Sequence, residues 1–208
     1  MVEGLVAGRG KPLGLRIREA IVEAMLLLYN RGLINLHGGN ASALLVLPDG
    51  TRLVYITPRG LEKNKLSSTT IAVMDVKGHV YWGEPSSEHP LHLEVYRRMS
   101  NVRAIVHSHN PLSVAVVESG GTLNLRLLGV EAEYYMGHCV SMVPPIKPGT
   151  VELARRVASA LEECPLVVLR GHGAVAVGFS SDPVKALFEA VDRLEVLEDI
   201  ARSSLLAR

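Results

Sequence analysis

The sequence predicts an α/β protein of three layers, an α/β/α arrangement with a central mixed, largely antiparallel sheet. Two observations support this prediction. Residues 42–57 and 71–83 form two hairpin patterns, which supply antiparallel strands, whereas later apolar strands lie between helical segments. Amphipathic helical segments occur before, between and after the strands, so helices can cover both faces of the sheet.

The composition indicates a globular chain and excludes several classes of partner. The chain has 208 residues, of which 48% are hydrophobic, and a net charge of +1. We expect a single domain over residues 1–208, with residues 1–11 flexible. Because the chain has no basic run and no long apolar segment, neither nucleic acid nor a membrane is an expected partner.

The cysteine and amide content bears on the cellular setting. Cys139 and Cys164 are too few for a disulfide framework, and the N-terminal segment lacks the apolar core of a signal peptide. We therefore expect the protein in the cytoplasm. The chain contains no glutamine, and depletion of thermolabile amides is typical of proteins from thermophiles.

The first half of the chain contains a helix, two hairpins and a second helix. Apolar residues at helical spacing predict the first helix over 12–32, with Gly32 as its end. The two hairpins turn at residues 48–50 and 77–78, which have the turn-forming residue types. A helix over 86–99 follows, with a serine as its predicted N-cap.

The second half of the chain alternates strands and helices. Its elements are recognised by apolar periodicity and by the residues that begin helices. They are a strand ending near His109, helices capped by Asn110 and Thr150, two buried strands flanking residues 171–173, and a final helix capped by Asp182.

Two histidines close the strand of residues 104–109. Because side chains at i and i+2 of a strand share a face, His107 and His109 are expected side by side. Two imidazoles at such a short distance either share a cation or lie as neutral rings in a polar pocket. A third histidine, His172, lies between two glycines, which allow a tight turn and close approach to a ligand; a solvated turn is the alternative.

Three short segments suit a bound anion, because each offers backbone N–H groups, hydroxyls or a cation beside a glycine turn or a helix start. Each segment alone is also compatible with an ordinary loop. Their residues are Gly39 and Asn40, Arg59 and Gly60, and Ser86 and Ser87.

The start of helix 86–99 carries further polar residues with two interpretations each. Glu88 is either a reactive carboxylate or a surface residue that complements the helix dipole. His89 and His92, three residues apart, are interpreted as helix-surface residues or as support for nearby ligands.

Five motifs occur together along the chain, and their order and intervals carry more information than any one of them. They are Gly39-Asn40, Thr57-Pro58-Arg59-Gly60, Pro85-Ser86-Ser87-Glu88, His107-Ser108-His109 and Gly171-His172-Gly173. The set resembles the class II aldolase/adducin-head family over about residues 15–200, and most closely its fuculose-1-phosphate aldolase-like enzymes. The resemblance implies the class II aldolase fold.

The resemblance also implies a ligand set. His107, His109 and His172 would bind one divalent metal ion per chain, usually Zn²⁺, with Mn²⁺ and Co²⁺ as alternatives. Glu88 would be the fourth ligand at rest and the acid/base during turnover. Arg59 stands where fuculose aldolases often have threonine. The substrate phosphate would be held by Gly39, Asn40, Arg59, Gly60, Ser86 and Ser87.

Family members are usually ring tetramers with sites between subunits, so a homotetramer is the assembly that the resemblance implies. Tyr135 matches a family tyrosine thought to protonate the leaving aldehyde from a neighbouring subunit. The adjacent Tyr134 is the other candidate for this role, and strand packing is the structural alternative for both.

Metal and carboxylate chemistry favour an aldolase. Three imidazoles leave an open position on a metal, which can stabilise the charge that develops when the C3–C4 bond of a ketose 1-phosphate breaks. A nearby carboxylate can move the C3 proton. The products would be dihydroxyacetone phosphate and an aldehyde.

Three other functions remain open. A sugar-phosphate 4-epimerase would use an extra aspartate after the histidine strand, but Glu118 is the only acid in residues 111–129. Methylthioribulose-1-phosphate dehydratase would use the same metal set. A non-catalytic interaction module like the adducin head is disfavoured, because the three histidines and Glu88 are all present.

Overall fold

The computed structural model describes residues 11–207, so the predicted flexible start lies outside it except for Lys11. The helices are α1 Leu13–Asn30, α2 His89–Arg98, α3 Pro111–Glu118, α4 Gly129–Met136, α5 Val151–Glu163 and α6 Pro183–Leu206. The strands are β1 Asn40–Val46, β2 Arg52–Ile56, β3 Ala72–Asp75, β4 Val80–Trp82, β5 Ala104–Ser108, β6 Ser141–Val143, β7 Leu166–Leu169 and β8 Gly173–Gly178.

The strands form one sheet in the order β4-β3-β2-β1-β5-β8-β7-β6. Both predicted hairpins are present, as the pairs β1–β2 and β3–β4. Among the described residues, only β6 and β7 pair in parallel. The prediction of a mixed, largely antiparallel sheet is therefore confirmed.

Helices cover both faces of the sheet, and β5 illustrates how the faces are divided. Ala104 and Val106 belong to the core shared with α1, α3, α4 and α6. Ile105, between them, belongs to the core shared with α2 and α5. Because side chains alternate along a strand, His107 continues the face of Ile105, toward α2. The three-layer prediction is confirmed.

Several helix starts agree with the sequence, and one does not. Asn110, Thr150 and Asp182 are the N-caps of α3, α5 and α6, as predicted. The predicted serine N-cap of α2 is wrong, because Glu88 occupies that position. The Ser86 hydroxyl instead accepts a hydrogen bond from the Glu88 N–H at 3.3 Å, which forms a turn before the helix.

The segment between α3 and α5 differs most from the sequence interpretation. Helix α4 contains both Tyr134 and Tyr135, so the alternative of strand packing is wrong for both residues. Cys139 and Cys164 form a disulfide, with a Cα–Cα distance of 5.3 Å, that links the end of α4 to the end of α5. Counting cysteines missed this bond, because two cysteines suffice for one disulfide. Cysteine usage therefore gives no support for a reducing compartment, although intracellular proteins of hyperthermophiles do contain disulfides. Within residues 11–207, no helix combines the length and apolar character needed to cross a bilayer.

A buried carboxylate fixes the loop that follows His109. Glu198 of α6 is 3% exposed and accepts hydrogen bonds from Leu112 N at 2.8 Å and from Ser113 N at 3.1 Å and its hydroxyl at 2.8 Å. All of these groups are donors at the N-terminus of α3, where a negative charge is favoured. Asn110, at φ 29°, is held here by donating to the Leu194 carbonyl at 2.8 Å.

We expect Glu198→Ala to destabilise the protein by about 3 kcal/mol, because it leaves several buried donors unpaired. Urea unfolding at equilibrium measures this difference. The matched control is Glu195→Ala, one turn away on the same helix, where the carboxylate pairs with Arg31 at the surface. That pair is worth up to about 1 kcal/mol. Equal losses in the two variants would contradict the assigned role of Glu198.

Candidate active site

Three histidines come together because β5 and β8 are neighbours at the centre of the sheet. The two strands pair antiparallel, with Ser108 opposite Ala174, so the end of β5 meets the start of β8. His107 lies in β5, His109 directly follows this strand, and His172 lies in the turn between β7 and β8. The predicted histidine set is therefore assembled by the sheet.

The turn that carries His172 requires glycine on both sides. Gly171 has φ 67°, in the left-handed region that glycine adopts without strain. A Cβ atom on Gly173 would collide with the backbone carbonyl of Ser108. The absence of side chains thus lets the turn approach the end of β5 and present His172 there.

The three imidazole rings form a compact cluster. Ring centroids lie 4.7 Å apart for His107 and His172, and 5.3 Å apart for the other two pairs. One nitrogen from each ring lies within 4.8 Å of the others. His107 is buried, whereas His109 and His172 are partly exposed, so the cluster opens toward solvent on one side.

Two buried polar atoms beside the cluster have no hydrogen-bond partner among residues 11–207. Nδ1 of His107 donates to the Ala174 carbonyl at 3.0 Å, so Nε2 is the ring nitrogen left to face Glu88. This Nε2 and Oε1 of Glu88 are buried without a hydrogen bond, and Nε2 lies 3.5 Å from Oε2 of Glu88. Buried polar atoms normally have partners. Lone pairs from an imidazole and a carboxylate that face each other fit a divalent cation.

The protonation states also suit a cation. Burial lowers the pKa of His109 to about 4 and also lowers the pKa of His172, so both rings are neutral with a free lone pair at pH 7. Burial alone would raise the pKa of Glu88. The neighbouring His107 and the hydrogen bond from Asn40 outweigh it, and the pKa of Glu88 stays below its usual value.

The three predicted anion segments converge next to Glu88. Nδ2 of Asn40 donates to Oε2 of Glu88 at 2.6 Å. The Ser86 N–H donates to the Thr57 carbonyl at 2.9 Å, and residues 58 and 85 form an isolated β-bridge. Gly39, at φ 71°, leaves no room for a side chain, because a Cβ atom would lie 2.9 Å from the His107 carbonyl.

Arg59 lies at the exposed rim of these segments. Its guanidinium is 3.6 Å from the Glu84 carboxylate, and both side chains are mostly exposed. Gly60 follows with φ 68°, and Ser87 is exposed. Of the phosphate residues named from the sequence, Arg59 and Ser87 are thus exposed, whereas Asn40 and Ser86 are buried beside Glu88.

Tyr135 lies apart from this cluster within the described chain. It packs against the core on the side of α6, and the Asp192 carboxylate is the main cause that raises its pKa. No hydrogen bond or ion pair within residues 11–207 joins Tyr135 to the three histidines. Its neighbour Tyr134 is 80% exposed.

Two buried polar residues near the site were not recognisable as buried from the sequence pattern. Lys63 is 3% exposed and donates to the His37 carbonyl at 3.2 Å, yet it lies in a polar stretch typical of a surface loop. His92 is fully buried, so the helix-surface interpretation is wrong for it. His89 is partly buried and donates from Nδ1 to the Ser86 carbonyl at 2.9 Å, which supports the serine segment.

A mixed sheet that brings three histidines and a carboxylate together at its centre defines an enzyme of the class II aldolase type. The chain belongs to the Class II Aldolase and Adducin N-terminal domain family, whose model matches residues 19–205.

The relatives of this chain agree with the family. It is 34% identical over 176 residues to the L-fuculose phosphate aldolase of Methanococcus maripaludis, covering 85% of this chain and 89% of that one. It is 33% identical over 181 residues to that of Methanocaldococcus jannaschii, covering 86% and 90%. The structure of L-fuculose-1-phosphate aldolase from Thermus thermophilus aligns with a TM-score of 0.80 at 34% identity, over 93% and 94% of the chains. These similarities support class II aldolase activity, a lyase activity.

Proposed function

We propose that the protein is a divalent-metal-dependent aldolase that reversibly cleaves a ketose 1-phosphate, fuculose 1-phosphate or a close analogue, to dihydroxyacetone phosphate and an aldehyde. The observation that carries the proposal is the pair of unpartnered buried atoms, Nε2 of His107 and Oε1 of Glu88, inside a three-histidine cluster. The names of the relatives support the substrate class.

His107, His109, His172 and Glu88 would hold the ion, with Zn²⁺ as the proposed metal and Mn²⁺ or Co²⁺ as alternatives. A bound divalent ion would supply Lewis-acid stabilisation of negative charge on the substrate oxygens. Neutral imidazoles suit this role, because they offer lone pairs without adding positive charge to the site.

Glu88 is the proposed acid/base. Its lowered pKa keeps the carboxylate ionised at neutral pH, ready to accept a proton at the substrate C3 position or return one to it. Its position at the N-cap of α2, 3.5 Å from His107 and 2.6 Å from Asn40, supports this role. A carboxylate at this position can exchange a proton with the substrate carbon and can also bind the metal ion.

The substrate phosphate would lie on the surface formed by the three anion segments. The exposed Ser87 hydroxyl and the Arg59 guanidinium are available at its rim, and Asn40 and Ser86 lie deeper. Charge-assisted hydrogen bonds of this kind hold phosphate in one orientation and so fix the distance from the sugar carbons to Glu88. Gly39 and Gly60, both at positive φ, would allow the backbone to turn beside the phosphate.

Ser87→Ala is expected to raise KM for a ketose 1-phosphate about tenfold, because one hydrogen bond to a charged group is lost in ground and transition states alike. The value of kcat should change less. Initial-rate kinetics on phosphorylated and unphosphorylated ketose measure both effects, with the exposed Ser100→Ala as control. Equal catalytic efficiency of the wild type on the two sugars would contradict the phosphate assignment.

The competing functions differ in what the site must contain. An epimerase would use an aspartate in residues 111–129, but the one acid of this segment is Glu118, which pairs with Arg170 at 3.1 Å on the surface. The dehydratase would use the same metal ligands as the aldolase. Only identification of the reaction product distinguishes the two activities. An interaction module has no need of unpartnered lone pairs in a buried cluster.

The remaining elements of the proposal concern assembly and setting. We propose a homotetramer in the cytoplasm, with Tyr135 of one subunit acting as the proton donor at the site of its neighbour. Within residues 11–207, Tyr135 has no hydrogen bond or ion pair to the histidines of its own chain, and the proposed role is therefore one across an interface. The direct test of the function is to incubate the metal-loaded protein with dihydroxyacetone phosphate and a panel of short aldehydes. Absence of any new ketose 1-phosphate would overturn it.

A further inference from the structure

We propose that His92 is a positioning residue, which holds the side-chain amide of Asn40 in the orientation that presents its N–H group to Glu88. The catalytic consequence rests on the proposed function of Glu88. The orientation itself rests only on the contacts of four buried side chains, which the metal cluster does not include.

His92 is hydrogen-bonded through both ring nitrogens. Nε2 lies 2.5 Å from Oδ1 of Asn40, and Nδ1 lies 2.7 Å from the Ser42 hydroxyl oxygen. The same Ser42 oxygen lies 2.8 Å from the Tyr96 hydroxyl. None of these residues is more than 4% exposed, so water cannot replace a missing partner at low cost. The four side chains therefore form a continuous buried chain that ends at Glu88.

Glu88 determines the direction of every bond in this chain. An ionised carboxylate only accepts, so the Asn40 group beside it is the amide N–H, and Oδ1 faces His92. Because Oδ1 also only accepts, Nε2 of His92 carries the ring proton and Nδ1 accepts from the Ser42 hydroxyl. The Ser42 oxygen in turn accepts from Tyr96.

Burial keeps the chain in this protonation state. Burial lowers the pKa of His92 to about 3 and raises that of Tyr96, so the ring stays neutral and the phenol keeps its proton. Aligned donors polarise one another and strengthen the last bond, to Glu88. If the amide of Asn40 were reversed, its carbonyl oxygen would face the carboxylate, which is repulsive. With its proton on Nε2, His92 opposes the reversal from the other end, because a reversed amide would set an N–H group against this donor.

The first experiment determines which ring nitrogen of His92 carries the proton. It uses metal-free protein and does not depend on activity. Nitrogen NMR of ¹⁵N-histidine-labelled protein is expected to show the His92 proton on Nε2, with slow exchange against solvent. His92→Gln assigns the signal, and His79→Gln, at an exposed histidine, should leave it unchanged. Asn40→Ala removes the acceptor and should speed the exchange. A proton on Nδ1 would overturn the proposal.

The second experiment separates positioning from packing with two matched variants. In the His92→Gln variant, the side-chain amide nitrogen can reach the former Nε2 position and donate to Asn40. In the His92→Asn variant, the shorter side chain can replace only Nδ1. We expect kcat of His92→Asn to fall about 10–100-fold with little change in KM, and His92→Gln to recover most of it. Equal losses in both variants would reduce His92 to a packing residue and overturn the proposal.

The two experiments distinguish failure of this inference from failure of the proposed function. If the wild type cleaves no ketose 1-phosphate, the aldolase proposal fails, while the NMR result still decides the orientation of Asn40. If the wild type is active and the ring proton lies on Nδ1, the aldolase proposal stands and the inference fails.

Discussion

The purified wild type is expected to hold about one divalent ion per chain, and His107→Ala and His172→Ala are expected to lose most of it. Each variant removes one of three imidazole donors that lie within 4.8 Å of one another. The loss of metal affinity should exceed the roughly 100-fold cost of removing an outer partner of a ligand. Aldolase activity should fall with the metal content.

The two histidine variants serve as checks on each other. His107 is buried, so its loss also leaves a cavity, whereas His172 lies in a partly exposed turn where truncation costs little packing. Metal content by elemental analysis, with circular dichroism as a folding check, distinguishes a lost ligand from a lost fold. The exposed His79→Ala should keep its ion. Full metal occupancy in both site variants would show that the ligand assignment is wrong.

Glu88→Gln is expected to lower turnover about 10²–10⁴-fold, the usual contribution of a positioned acid/base. The glutamine keeps the size of the side chain and one oxygen donor, but it cannot take a proton. Three histidines should still retain the ion. Exchange of the C3 proton of dihydroxyacetone phosphate with deuterated solvent should fall in parallel, because that exchange reports the deprotonation itself.

The matched control for this prediction is Glu94→Gln on the same helix, where the carboxylate pairs with Arg98 at 2.8 Å. This variant should keep turnover and proton exchange near the wild-type values. The opposing view of Glu88 is that its charge only complements the dipole of α2, at a cost of less than about 1 kcal/mol in stability. A Glu88→Gln protein with its full complement of metal and near-normal exchange would support that view.

The elements that the sequence predicted well are those with local signals. Turn residues identified both hairpins, and N-cap residues identified the starts of α3, α5 and α6. Helix α4 was missed because glycine begins it and two β-favouring tyrosines follow, while packing against α6 decides its conformation. The serine N-cap failed because the Ser86 N–H is bonded to Thr57, which fixes the serine segment outside the helix.

The candidate site was predictable in its membership but not in its internal contacts. Spacing placed His107 and His109 together, but only the pairing of β5 with β8 explains how His172 joins them. No sequence pattern indicates that Asn40 bonds to Glu88 or that His92 stands behind it, since these contacts join residues about 50 positions apart. Long-range polar contacts of this kind follow from the packing of α2 on the sheet.

The central position of β5 in the sheet affects how the protein unfolds locally. This strand is bordered by β1 on one side and β8 on the other, and all five of its residues are buried. Backbone amides in such a strand exchange with solvent only through the largest opening events, whereas edge strands and surface loops open at lower free energy. His107 is therefore attached to a slow-opening part of the molecule, and His109 directly follows it. We therefore expect the amides of β5 to exchange more slowly than those of the exposed segment around Arg59.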